Sequence, residues 1–127
     1  MYKSDGIYFE EIILSLFEDF DEYIKATREQ DVKEGWDALV NGVRVDVTLN
    51  FWNKKDVVLL YQEYMSSYIL NVGYKIRRGK YILVLGFDFS TRDIDDCIDI
   101  LWDRWEDEIF SLVSSALQCS ENSVLLA

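Results

Sequence analysis

Two dipeptides, Asn41-Gly42 and Arg78-Gly79, each separate a pair of apolar runs, and they commit the middle of this chain to hairpins. Trp36 to Val40 precedes the first; after it Val43, Val45, Val47, Leu49 and Phe51 alternate with Arg44, Asp46, Thr48 and Asn50. A period of two places one set of side chains on each face of a strand, and Asn-Gly accepts the positive φ angles of a type I′ turn. Around the second dipeptide, Leu70, Val72, Tyr74 and Ile76 alternate with Asn71, Gly73, Lys75 and Arg77, and Tyr81 to Phe89 is again apolar. Val57 to Tyr68, between the hairpins, fits either period; the short polar connection Asn53 to Asp56 has the length of a hairpin loop and favours a strand.

Helical spacing flanks this central region. From Ile7 to about Thr27, Phe9, Ile12, Ile13, Leu16, Phe17, Phe20, Tyr23 and Ile24 recur every three or four residues, with Ser4 and Asp5 available as caps. Near the other end, Ser90 with Asp93 three residues on marks a helix start near Thr91, and Ile94, Cys97, Ile98, Leu101, Trp105, Leu112 and Ala116 form its apolar stripe. The expected fold is α+β: an N-terminal helix, an antiparallel meander of four to five strands and a long C-terminal helix, both helices covering one face of the sheet. At 127 residues, half of them apolar, the chain reads as a single domain over 1–127, with 118–127 as a loose tail. No basic, apolar leader and no bilayer-length apolar run occur, so the sequence reads as that of a soluble, cytoplasmic protein. Cys97 and Cys119 lack metal-type spacing, which suits a reducing compartment.

The formal net charge of −11 is unevenly spread. Asp5 to Asp31 carries nine acids against Lys25 and Arg28, Asp88 to Glu108 carries nine against Arg92 and Arg104, and Asn41 to Phe87 holds three acids against seven bases. The helices are acidic and the hairpins basic. On the last helix Asp95, Asp99, Asp103 and Glu106 follow at spacings of three or four, an arrangement in which each like-charge pair costs roughly 0.2–0.5 kcal/mol. Projected on the same polar arc are Ile100 and Phe110, with Trp102 at its border, and on the first helix Leu14 stands among Glu11, Glu18 and Glu22. Apolar anchors ringed by charge are the composition of a protein interface, and these eleven residues are the candidate partner-binding set.

Catalytic patterns are sparse. Histidine is absent, which removes His-based triads and the usual zinc sites, and no glycine-rich phosphate loop opens a helix. Asp95-Asp96-Cys97-Ile98-Asp99 resembles the DDxxD motif that binds magnesium and diphosphate in terpenoid and prenyl synthases, but those are longer all-helical bundles with a second acidic motif. A metal-dependent enzyme using Asp95, Asp96 and Asp99 is therefore a minor alternative. Asp46 on a strand resembles one element of the PD-(D/E)xK nucleases, but their E-x-K element is missing around Gln62-Glu63-Tyr64-Met65, and Asp46 reads better as an outward polar residue or the partner of a cross-strand lysine or arginine. Lys75, Arg77, Arg78 and Lys80, with Tyr74 and Tyr81 nearby, form a small basic patch; the overall acidity favours intramolecular or interfacial pairing over nucleic-acid binding.

These features favour a non-catalytic acidic binding protein without cofactor or bound metal. Its expected partner is a basic protein, such as a nuclease toxin neutralised by a bacterial immunity or antitoxin protein. The alternatives are a phage-encoded inhibitor of a host defence system, an anti-CRISPR-like nucleic-acid mimic, and a homodimeric scaffold joined through Ile100, Trp102 and Phe110.

Overall fold

Both hairpins form where the dipeptides place them. The computed structural model describes the backbone of residues 4–126 and the side chains of residues 4–120. Helix α1 (Asp5–Leu16) is followed by strands β1 (Tyr23–Lys25), β2 (Ala38–Val40), β3 (Val43–Thr48), β4 (Val58–Tyr64), β5 (Tyr68–Arg77) and β6 (Lys80–Phe89), then by helices α2 (Ile94–Arg104) and α3 (Phe110–Leu126). Asn41 and Gly42 sit at φ 48° and 82°, Arg78 and Gly79 at 52° and 75°, the paired positive angles of type I′ turns. No helix among the described residues is long and apolar enough to cross a membrane.

The sheet has six strands in the order β1-β2-β3-β6-β5-β4, not the expected four to five in a simple meander. Two three-stranded antiparallel meanders, β1-β2-β3 and β4-β5-β6, join through a parallel β3–β6 pair with Val45 opposite Leu83 and Val47 opposite Leu85. Joining them this way sends residues 49–57 from the middle of the sheet to its far edge. That crossover runs on the face away from the helices, and Phe51 lies flat on β6 and β5 at Gly86 and Gly73. A Cβ on Gly86 would stand 2.5 Å from the Phe51 Cβ, so these glycines leave the room that the Phe51 side chain fills on the sheet. Gly86→Ala is expected to cost about 1–3 kcal/mol in urea denaturation through overpacking. Gly6→Ala in α1, where a Cβ meets nothing within 4 Å among the described residues, should leave stability unchanged or slightly improved.

The first helix ends at Leu16 instead of near Thr27. Ser4 caps it as expected, its Oγ accepting from the Ile7 amide at 3.2 Å. A 3-10 turn (Phe17–Asp19) then redirects the chain, and Tyr23–Lys25 pairs with β2, Tyr23 opposite Val40. Glu22 and Asn41 lock this edge: the Asn41 amide donates to the Glu22 carbonyl at 2.9 Å and the Glu22 amide to Asn41 Oδ1 at 3.1 Å. Phe20 keeps its apolar role by packing on Trp105 and Phe110. The helical period of the sequence thus ran on past a strand edge that offered backbone bonds further helix would have forgone.

Asp93, not Ser90, caps the last helical region, its Oδ1 accepting from the Asp95 and Asp96 amides at 2.9 and 3.2 Å. Helix α2 passes through a π-helical turn (Trp105–Ile109) into α3. The extra residue of that turn rotates everything after it by roughly 100° relative to a straight helix. Both helical regions cover one face of the sheet. Phe9 packs edge-on to Phe87 at 5.6 Å, and Val113, Ala116 and Leu117 join the same core as Val45, Leu70, Leu83 and Leu85. The expected loose tail begins within ordered helix: Ser120 is buried and shares a 3.2 Å hydrogen bond with the Tyr81 hydroxyl. Side chains beyond it lie outside the described residues.

Candidate functional site

The acidic stripe of α2 is formed because Cys97, Ile98 and Leu101 turn inward and leave Asp95, Asp99, Asp103 and Glu106 exposed on the other side. Trp102 stands among them, 55 % exposed. The remaining apolar anchors turn inward. Ile100 packs against the core, Leu14 is buried, and Phe110 stacks on Phe20 with ring centroids 4.6 Å apart. The π-helical turn explains Phe110, since projection as a straight helix puts it on the polar arc and the inserted residue swings it inward. Glu11, Glu18 and Glu22 are exposed as expected. Asp95, Asp96 and Asp99 are likewise all exposed on the surface of α2.

Where α1 ends beside the α2–α3 junction, a groove of about 540 Å³ runs between them. Glu18, Asp19, Asp103, Glu106 and Asp107 supply all the charge of its lining, with Trp102 and Trp105 as its aromatic members. Trp105 is buried and donates from Nε1 to Asp19 Oδ2 at 2.6 Å, tying the two walls together. The groove therefore pairs an anchored floor with an exposed indole and a single sign of charge, and it suits a cationic side chain that can also pack on an aromatic face. Of the eleven residues expected to bind a partner, Glu18, Trp102, Asp103 and Glu106 meet here. Asp95 and Asp99 continue the stripe away from it, while Ile100, Phe110 and Leu14 belong to the core.

A second polar centre occupies the opposite face of the sheet. Asp46 is buried, and its Oδ2 accepts from Lys75 Nζ at 2.8 Å and from Lys54 Nζ at 2.7 Å. Asp46 is thus the partner of a lysine, as one reading expected, but it points into the protein and reaches two strands across, past β6 to β5. Burial raises its pKa, and the two ammoniums outweigh that and hold it below the ordinary carboxylate value. Asp37 stands beside it, accepting from the Val47 amide at 2.8 Å, and burial followed by the charge of Asp46 pushes its pKa up to about 10. That shift favours the protonated acid, hydrogen-bonded to both Asp46 and Glu10. Burial also raises Glu10. Glu10, Asp31 and Asp37 each bring an oxygen within 4.8 Å of the others, a donor set that a hard cation such as Mg²⁺ accepts, although it would have to displace the Asp37 proton.

Further along this face a chain of hydrogen bonds runs from Tyr64 to Gln62, from Gln62 to Asn71 and from Asn71 to Asp88, with Trp52 Nε1 also donating to Asp88. Of the basic hairpin patch, Lys75 and Lys80 are paired, Lys80 to Glu34 at 3.0 Å. None of these networks can be derived from local pattern. Asp37 does interrupt an otherwise apolar run, the one sequence signal of its burial, whereas Asp46 stands at a polar position of an alternating strand and carries none. No family model, curated protein or solved structure matches the chain.

Proposed function

We propose that this is a non-catalytic acidic binding protein that captures a basic partner in the groove between α1 and α2, and that it serves as an immunity or antitoxin protein neutralising a nucleic-acid-acting toxin. The observation that carries this reading is Trp102, more than half exposed in a groove whose charged lining is wholly acidic. An exposed indole costs solvation unless something covers it, and a one-signed rim speeds the approach of an opposite charge. A basic nuclease presents the complementary surface, because its own substrate is a polyanion. Blocking that surface would silence it without chemistry.

The test is capture from the native host with wild-type protein, Asp99→Lys/Asp103→Lys and Trp102→Ala, followed by binding kinetics and a nuclease assay on whatever is retained. Charge reversal is expected to slow association by about tenfold at low salt, and Trp102→Ala to accelerate dissociation by about 30-fold or more. Stoichiometric addition of the wild-type protein should abolish nuclease activity. A partner whose kinetics ignore both variants would place the interface elsewhere, and a retained protein without nucleic-acid activity would end the toxin reading.

A further inference from the structure

On the face of the sheet opposite the acidic groove, the crossover and the end of β5 bring Lys54, Lys55, Lys75 and Arg77 to one pocket of about 310 Å³, with Asp56 the one acid in its lining. In a chain of net charge −11 this is a local reversal of sign. Neutralisation there is incomplete. Asp46 spends a single oxygen on both Lys54 and Lys75, and among the described residues neither Lys55 nor Arg77 has an ion-pair partner. The Lys75 side chain is only 9 % exposed, so its charge is felt in a partly dehydrated setting where screening is weak.

Arg77 also lies against the backbone of Gly35. Gly35 sits at φ 78°, and a Cβ there would come 2.5 Å from Arg77 Nη1 and 3.4 Å from Lys75 Nζ. The positive φ favours glycine, and the missing side chain leaves room for the end of Arg77 to lie beside this backbone.

We infer that this pocket binds a small phosphate-bearing anion, with Arg77 offering its planar fork and Lys55 and Lys75 point charges. Guanidinium donors match phosphate oxygens two at a time, and ammoniums add charge without directional demand. Size and field both favour a small ligand. The pocket lies at the lower end of the range for small-molecule sites, and the acidic helices repel a long polyanion.

The experiment is a titration of the full chain with inorganic pyrophosphate at low ionic strength, followed by amide chemical shifts, beside parallel titrations with ATP and with adenosine. Saturable shifts at Gly35, Asp56 and Lys75 are expected, and Lys55→Gln/Arg77→Gln should weaken binding by about tenfold or more. Both side chains are exposed, so this variant should keep the wild-type melting temperature. Lys25→Gln/Arg92→Gln removes the same charge outside the pocket lining and should bind as the wild type does. Equal affinity for pyrophosphate and ATP would identify the bare phosphate as the ligand; tighter ATP binding, with adenosine inert, would identify a nucleotide. Shifts that never saturate, or a distant-charge variant that loses as much affinity as the pocket variant, would overturn the site.

Discussion

Replacing Asp46 with alanine is expected to destabilise the fold by about 3–5 kcal/mol, since removing one member of a buried ion pair strands the other charge. Lys75 is the stranded group: it is buried, and Asp46 is its only ion-pair partner among the described residues. Lys54, at 31 % side-chain exposure, can turn to water and contributes less to the loss. The double replacement Asp46→Ala/Lys75→Met should recover most of the stability, because a neutral, flexible chain fills the same space without a charge to satisfy. Urea denaturation of the two single variants and the double variant at pH 7 gives the coupling directly. If the single alanine variant costs under about 1 kcal/mol, the Asp46–Lys75 pair behaves like a solvated surface pair and not like a buried one.

The second large effect is expected at Asp37, and its sign is opposite. A carboxyl whose pKa is raised on folding binds its proton more tightly in the native state, so its contribution is complete below the unfolded pKa and is lost as pH rises towards the folded value near 10. Asp37→Asn supplies the same hydrogen bonds without a proton to lose: its carbonyl oxygen can accept from the Val47 amide and its amide can donate to Asp46. The variant should gain about 2 kcal/mol at pH 8, roughly 5–10 °C in melting temperature, and little or nothing at pH 4. Asp46 bounds the acid side, for its depressed pKa supplies stability above the ordinary carboxylate range that disappears as pH falls through the folded value. Thermal melts of wild type and Asp37→Asn between pH 4 and 9 decide the matter. Parallel profiles would show that Asp37 is already charged in the native state.

Much of this molecule follows from short-range pattern. The two turns are legible because Asn41-Gly42 and Arg78-Gly79 satisfy a backbone demand that few residues meet, and the alternation on either side orients the faces of β3 and β5. The acidic stripe on α2 is legible for the same reason, since spacings of three and four keep residues on one side of a helix whatever lies beneath. The end of α1 was not legible. Phe17, Phe20, Tyr23 and Ile24 satisfy the helical period, and only backbone pairing with β2 and the aromatic contacts with Trp105 and Phe110 break it.

The amino-acid order by itself determined the α+β class, the hairpins and the segregation of charge. Each of these depends on interactions within a few residues or on a period set by backbone geometry. Tertiary structure alone decided the parallel β3–β6 junction, and with it the crossover that lays Phe51 on Gly73 and Gly86 and carries Lys54 to Asp46. It also decided that Phe110 turns inward, through one inserted residue at Trp105–Ile109. The physical reason is common to both. Pairing distant strands and shifting a helix's phase are settled by burial and hydrogen bonding between segments far apart in the chain, and those energies leave no periodic trace in the residues that supply them.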